Sequence, residues 1–400
     1  MASTAPILIV GAGPVGFVTA LRLARNAIPV ILIEREPQLQ DDLRASSFHP
    51  PTLEMLDELR LTEGLLERGL QTRTWQVRLH ETHEKAEFNL DAISRDTRYP
   101  FRLQVEQREL CALAAEQAAK EPLVDLRMGT ELLRFEQDDN AVTAWVKTAR
   151  GTEQEIVTPF MIAADGARST VRAQLNISFE GLTYPETTIL ATTRFPFEDH
   201  LPGLSNVNYV WCNEGTFSLL RLPDIWRCSL YPDEGESDNE ALDPASIERK
   251  LQRIVPREQV YAVQEIRAYR IHQRIVKDYR VGRILLAGDA AHLNSPSGGM
   301  GMNGGIHDAF NLTDKLPAVI KGESSLELLD LYSRQRRPTA ERQILQQAHQ
   351  NRTRMQQRDP EYRRAELTRL QAIAADPVQS REYLLRSSMI TGLREAARIS

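Results

Sequence analysis

Cysteine is scarce. Three occur in 400 residues, Cys111, Cys212 and Cys228, far apart and without a C-x-x-C pair. That count and spacing argue against a disulfide framework and a thiolate metal site, and they suit a reducing compartment. Long apolar runs are missing too. No window approaches the roughly 18 consecutive apolar residues that a membrane span needs, and the short run at 7–10 follows no basic leader. A cytoplasmic protein without a membrane span is expected. A basic excess is the third absence. The formal net charge is −6, so a nucleic-acid partner is not expected. The arginine clusters at 334–337 and 363–369 read as solvated helix faces. Internal repeats and low-complexity tracts are also absent.

What is present is an ordinary globular composition, 42% hydrophobic and 26% charged. The length allows two lobes, or one large α/β domain carrying an inserted sheet. The chain opens as strand, tight turn, helix and strand: an apolar run at 7–10, a turn at 11–16, helical periodicity over 17–26 and a second apolar run at 30–33. A helix is expected over 52–59, entered through Pro50 and Pro51, and an alanine-rich one over 109–120. Residues 72–99 alternate as exposed strands do. Strand-like runs recur at 124–128, 141–148 and 155–163, and residues 181–270 follow a period of two with many turns, as in a separate antiparallel sheet. A buried strand returns at 284–287, and from 326 onward the pattern is helical and charged.

Three motifs carry chemistry. Gly11, Gly13 and Gly16 form G-x-G-x-x-G between strand and helix, and Glu34 closes the next strand. Gly11 permits the tight turn, Gly13 lets backbone approach a pyrophosphate, and Gly16 allows close helix–strand packing. The helix N-terminus supplies N–H groups and partial positive charge for phosphates, and Glu34 suits ribose hydroxyls. Glycine turns are common for steric reasons alone. Here strand, helix, spacing and acid agree, though the motif alone does not separate FAD from NAD. The second motif is AADGARSTVR at 163–172. The third is a buried strand that delivers Asp289 into a loop holding Gly298, Gly299, Gly301, Gly304 and Gly305 before a helix. A carboxylate at a strand end suits a polyol chain, and bare backbone at 301–303 suits a flat ring.

In this order, these motifs resemble those of the single-component FAD-dependent aromatic hydroxylases, the family with the para-hydroxybenzoate hydroxylase-like fold. ADGARSTVR and YRIHQR followed by GRILLAGDAAH are most similar to its phenol-type members, such as the para-nitrophenol monooxygenases. The resemblance spans roughly residues 5 to 340. It implies an α/β fold: a Rossmann-like FAD-binding domain (1–75, 100–180 and 271–345), an interleaved antiparallel-sheet substrate domain (76–99 and 181–270) and C-terminal helices (346–400). It also implies that Gly11, Gly13, Gly16 and Glu34 hold the ADP half of FAD. Arg44 would lie near the adenosine and pyrophosphate. Gln107, or Gln104 in a shifted register, would lie near the ribityl chain. Asp165 would serve FAD and the passing nicotinamide, and Asp289 the ribityl chain. Pro296 would sit beside the flavin C4a, and backbone at Gly301, Met302 and Asn303 would meet the pyrimidine edge. No second G-x-G-x-x-G is left for NAD(P)H, since the one at Gly299, Gly301 and Gly304 belongs to the third motif, which agrees with NADPH or NADH as a transient co-substrate.

The implied reaction uses NAD(P)H and dioxygen to hydroxylate a small phenolic ring through a flavin C4a-hydroperoxide. A base within reach of the phenol hydroxyl is then expected, and His272, His49 and Tyr209 are the candidates. For His272 a structural, hydrogen-bonded role is an equal alternative; for His49 a turn-stabilising role competes, and His292 reads as motif packing. Tyr209, Trp211, Phe217, Leu219 and Trp226 are candidates for an aromatic pocket, against core packing. Other functions stay open: a flavin-dependent dehydrogenase or reductase without oxygen insertion, a hydroxylase of a heteroaromatic or quinone-like ring, and a non-enzymatic carrier. A halogenase would show Trp-x-Trp-x-Ile-Pro, which is absent. The chain is expected to be a monomer or homodimer.

Overall fold

The computed structural model describes residues 5–40 and 45–400, apart from the side chains at 185–186 and 343–344. Two sheets organise it. The first has six strands in the order Arg280–Val281, Ile284–Leu286, Met161–Ala163, Ile7–Val10, Val30–Glu34 and Val124–Met128. All neighbours run parallel except the edge strand Arg280–Val281. Its central strands are apolar at every position because both faces are covered, as parallel sheets require. Helices Pro14–Arg25, Gln107–Ala118 and Gly301–Thr313 share its core with a three-stranded antiparallel sheet formed by Glu131–Gln137, Val142–Lys147 and Glu153–Thr158.

The second sheet has eight strands, in the order His292–Leu293, Val263–Val276, Phe179–Thr193, Trp226–Leu230, Gly215–Arg221, Val207–Cys212, Thr74–Leu79 and Lys85–Asn89. It is antiparallel except where Val207–Cys212 runs parallel to Thr74–Leu79. The two long strands, Phe179–Thr193 and Val263–Val276, run through positions 180/181 and 270/271, where a domain boundary was expected. Period two sends alternate side chains to opposite faces. Val210, Phe217, Leu219, Trp226 and Cys228 therefore pack with helix Pro244–Ile254, whereas Trp75, Val77, Val207, Tyr209 and Trp211 pack with the C-terminal helices.

Those helices are Gln347–Gln356, Pro360–Ala375, Pro377–Ser387 and Ile390–Ala396; a π-helical segment, Ala340–Gln346, precedes them. They are pinned to the sheet by named bonds. Trp211 Nε1 donates to the Arg354 carbonyl at 3.3 Å. The Arg363 guanidinium donates to the Cys212 and Gly215 carbonyls at 2.6 and 2.7 Å, and Arg381 and Arg394 both pair with Asp96. This cover explains a departure from the sequence pattern. Residues 72–99 read as exposed strands, yet Trp75, Gln76, Val77 and Arg78 are all buried. Among the described residues, no helix is long and apolar enough to cross a membrane.

Candidate functional site

The glycine turn is built as its spacing requires. Gly11 has φ +100°, and a Cβ there would stand 2.5 Å from the Ala164 carbonyl oxygen. At Gly16 a Cβ would meet the Gly11 carbonyl at 1.9 Å, which is why the helix lies so close to the turn. Gly13 differs: a Cβ there would meet nothing within 4 Å. Its bareness answers no intramolecular contact and leaves room for a ligand at the helix N-terminus. Glu34 accepts from the Ala12 N–H at 2.9 Å and the Glu36 N–H at 3.0 Å, so the same carboxylate that suits ribose also braces the glycine turn.

Asp165 accepts from the Val171 N–H at 3.0 Å through Oδ2, while its Oδ1 is shielded and without a hydrogen-bond partner. Burial raises its pKa. Arg172 ties this segment to the Asp289 turn. It lies over the Phe179 ring at 3.8 Å and donates to the Ala167 and Ala290 carbonyls at 2.7 and 3.0 Å. Asp289 sits in the turn Gly288–Ala290 with its side chain exposed.

A buried network fixes that turn against helix Gly301–Thr313. Asp308 accepts from the Gly288 N–H at 3.0 Å, from His292 Nε2 at 2.8 Å and from Arg336 Nε at 2.6 Å. All three side chains are at most 1% exposed. The Arg336 charge and the bonds from Arg336 and His292 outweigh desolvation and hold the Asp308 pKa at about 2, although burial alone would raise it. Helix and turn also touch directly, since a Cβ on Gly305 would come within 3.0 Å of Gly288 Cα. His292 is thus part of the motif's packing.

The loop before this helix is stapled by Asn303. Its Nδ2 donates to the Ser47 and Gly299 carbonyls at 2.8 and 2.6 Å, and its Oδ1 accepts from the His49 N–H at 2.9 Å. The side chain is consumed by the scaffold, and the first-turn backbone N–H groups of Gly301, Met302 and Asn303 lack the intrahelical acceptors that later turns have. Pro296 is exposed at the loop's start, its carbonyl accepting from the Gly299 N–H at 2.9 Å. Gln107 opens helix Gln107–Ala118 and is half-buried, whereas Gln104 is buried with its Oε1 accepting from Ser47 Oγ at 2.8 Å. Arg44 lies outside the described residues.

Beside the Pro296 loop is a narrow cavity. Ser297, Gly298 and Met300 of the loop form part of its lining; Arg102, Trp75 and Tyr209 come from strands, and Asn351, Arg354, Met355 and Tyr383 from the C-terminal helices. The rings form a wall. Trp75 stacks on Phe88 at 4.6 Å, Phe88 on Tyr383 at 4.6 Å, and Tyr209 stands edge-on to Trp75 at 6.1 Å. Of the five residues expected to line an aromatic pocket, Tyr209 does so; Trp211 anchors the helices, and Phe217, Leu219 and Trp226 lie under helix Pro244–Ile254.

The candidate bases fare differently. His272 is exposed and bonds Thr183 Oγ1 through Nδ1 at 2.9 Å; it does not line the cavity. Its neighbour Gln273, on the other face of the strand, bonds the Tyr184 hydroxyl at 2.6 Å. Strand parity therefore puts His272 on the exposed side of its strand, away from this cavity. His49 is fully buried. Its Nε2 donates to the Gly298 carbonyl at 2.8 Å, and Nδ1 is shielded without a partner. Burial first, then the nearby Arg102 charge, lowers its pKa to about 3. A group that holds a proton only in strong acid is a poor acceptor for a phenol proton, which weighs against His49 as a general base.

The sequence reading missed Trp75, Arg102, Asn351, Arg354 and Tyr383. Only Arg102 had a local signal: it interrupts a segment, 101–105, that is buried throughout.

Residues 4–348 match the FAD binding domain family. The chain is 31% identical over 393 residues to para-nitrophenol 4-monooxygenase from a Pseudomonas species, covering 97% of this chain and 96% of that one. It is 33% identical over 341 residues to 6-hydroxy-3-succinoylpyridine 3-monooxygenase from Pseudomonas putida, covering 83% and 84%. The crystal structure of p-nitrophenol 4-monooxygenase from Pseudomonas putida superposes with a TM-score of 0.90 at 30% identity, covering 98% of this chain and 99% of that one.

Proposed function

This chain belongs to the FAD binding domain family, among its flavin-dependent aromatic monooxygenases, and from that premise we propose that its substrate is a small phenol. The observation that carries the choice is the cavity. Its lining joins the loop expected beside the flavin to a wall of three aromatic side chains, the chemistry that receives an aromatic ring. The relatives that act on para-nitrophenol and on a hydroxypyridine share a hydroxylated six-membered ring, which supports the same reading.

FAD, when bound, accepts electrons from NAD(P)H and activates dioxygen, and the hard chemistry is the cofactor's. Residues of the chain fit it. Gly13 leaves space at the helix N-terminus where a pyrophosphate would lie, Glu34 would meet the ribose, and Asp165 and Asp289 would serve the stretch toward the ring. The Gly301–Thr313 helix N-terminus would supply partial positive charge to the pyrimidine edge. Trp75, Tyr209 and Tyr383 orient the aromatic ring. The C-terminal helices close the cavity and exclude water, which protects a reactive oxygen donor from wasteful breakdown.

The test is nicotinamide oxidation by the purified holoenzyme under air, with and without a panel of phenols, aminophenols, hydroxybenzoates and hydroxypyridines. A phenol is expected to raise the rate at least tenfold. Flavin that is bound and reducible yet never stimulated by any ring would favour a dehydrogenase.

A further inference from the structure

Arg102 is 3% exposed and lines the cavity. Arginine is almost never buried without a partner, because an uncompensated charge in a low-dielectric interior is costly. Yet no carboxylate pairs with Arg102, no hydrogen bond from its side chain occurs among the described residues, and its Nε is shielded without a partner. Its neighbour is the Trp75 ring, 5.3 Å from the guanidinium carbon. Its strand, Arg102–Gln104, pairs with Leu70–Thr72 and Ser47–Phe48, which fixes the backbone that carries it.

The rest of the lining repeats the pattern. Three polar atoms of lining residues are shielded and unpaired, Trp75 Nε1, Arg102 Nε and Arg354 Nε, and all three are N–H donors. Arg354 is held by the Tyr383 hydroxyl at 3.1 Å through Nη1 and leans on Asn351 through Nη2. The titratable or charged groups around Arg102 are Arg354, Tyr209 and Tyr383 in the lining and His49 behind it; no aspartate, glutamate or histidine lines the cavity. A neutral ligand leaves such donors unmatched, whereas an anionic oxygen satisfies them with charge-assisted bonds.

We propose that this cavity selects its aromatic ligand as an anion, and that Arg102 is the residue that holds the ionised oxygen. The inference rests on the phenol reading above and deepens it. It replaces the expected protein base: the phenol O–H bond breaks in bulk solvent, the proton goes to water or buffer, and the phenolate enters. Arg102 then keeps the ring electron-rich by excluding the protonated form. Acidic phenols, ionised near neutrality, are the substrate class this favours.

The test uses para-nitrophenol, whose ionised form has its own absorbance, and its O-methyl ether as a neutral isostere. Both are titrated against the wild-type holoenzyme and against Arg102→Gln and Arg102→Lys. Arg102→Gln removes the cost of an unpaired buried cation and Arg102→Lys keeps the charge already tolerated there, so both variants are expected to fold and keep FAD. The wild type is expected to bind the phenolate at least tenfold more tightly than the ether, and to keep bound phenol ionised about one pH unit below the free phenol's midpoint. Arg102→Gln should lower the phenolate-to-ether ratio about 10- to 100-fold while changing ether affinity little, as for one charge-assisted bond. Arg102→Lys should recover part of that ratio. An unchanged ratio in Arg102→Gln, or neutral phenol bound by the wild type, overturns the assignment. If no ring binds or stimulates the wild type at all, the phenol reading itself is what fails.

Discussion

Asp308 offers the sharpest test of how the flavin-binding loops are held. Its carboxylate accepts from Gly288, His292 and Arg336 at once, and neither it nor Arg336 reaches solvent. Asp308→Asn keeps the shape and removes the charge, leaving the Arg336 guanidinium buried beside a neutral amide. Removing one partner of a buried pair costs about 3–5 kcal/mol. At roughly 2 °C per kcal/mol, the lower end for large domains, the midpoint should fall by about 6–10 °C. The amide keeps a single acceptor oxygen for donors that now share two, so either Arg336 or the Gly288–His292 side faces an NH2 group, the Asp289 turn loosens and FAD affinity should drop. The pH dependence has a definite sign. The carboxyl pKa is about 2 in the fold against 3.8 in an unfolded chain. Its stabilisation is therefore complete above pH 4 and is lost as pH falls toward 2, by roughly 2 kcal/mol at 1.36 kcal/mol per unit. Thermal unfolding followed by circular dichroism, with FAD fluorescence in parallel, reads both effects. A variant that melts within about 1 °C of wild type and keeps its FAD would refute the network's role.

Three further outcomes follow from the geometry. Gly13→Ala should leave the melting point of the FAD-free protein unchanged yet weaken FAD, whereas Gly16→Ala should destabilise the FAD-free protein as well; equal behaviour of the two in unfolding and flavin titrations would contradict the contacts described. His49 has a folded pKa near 3 against 6.5 unfolded, so its contribution is present above pH 6.5 and disappears as pH falls toward 3. His49→Gln should flatten the stability–pH curve over that window, with an upper limit of about 5 kcal/mol; an unchanged slope would show that His49 is not buried neutral. His272→Ala should leave turnover and coupling within about twofold of wild type, because the side chain is exposed and bonded to Thr183. A hundredfold loss would restore it as a catalytic candidate.

How much of this was legible depended on how local each feature is. Gly11, Gly13, Gly16 and Glu34 lie within one strand–helix–strand unit, so spacing alone encodes their meeting. Asp289 and the glycines after it are contiguous with the helix they serve. The cavity is the opposite case. Trp75, Arg102, Tyr209 and Arg354 are far apart in the chain and meet only because Thr74–Leu79 pairs in parallel with Val207–Cys212 and the C-terminal helices fold back over both. No periodicity carries that register. The placing of His272 was hidden for the same reason: alternation says that His272 and Gln273 face opposite ways, and only the pairing of Thr183 with His272 says which way is out. Arg102 was readable in part, since polar residues alternate with Phe101, Leu103 and Val105. That pattern suggests a half-exposed strand, and the cover that buries it comes from elsewhere in the sequence.

The central claim is that this protein inserts oxygen into a phenolic ring. Its most direct test is to turn over the holoenzyme with NAD(P)H and a stimulating phenol under isotopically heavy dioxygen, then weigh the product. The account predicts one heavy oxygen atom in the ring product and nicotinamide consumption that tracks it. A product without the label, or nicotinamide oxidised with the phenol returned unchanged, would contradict it.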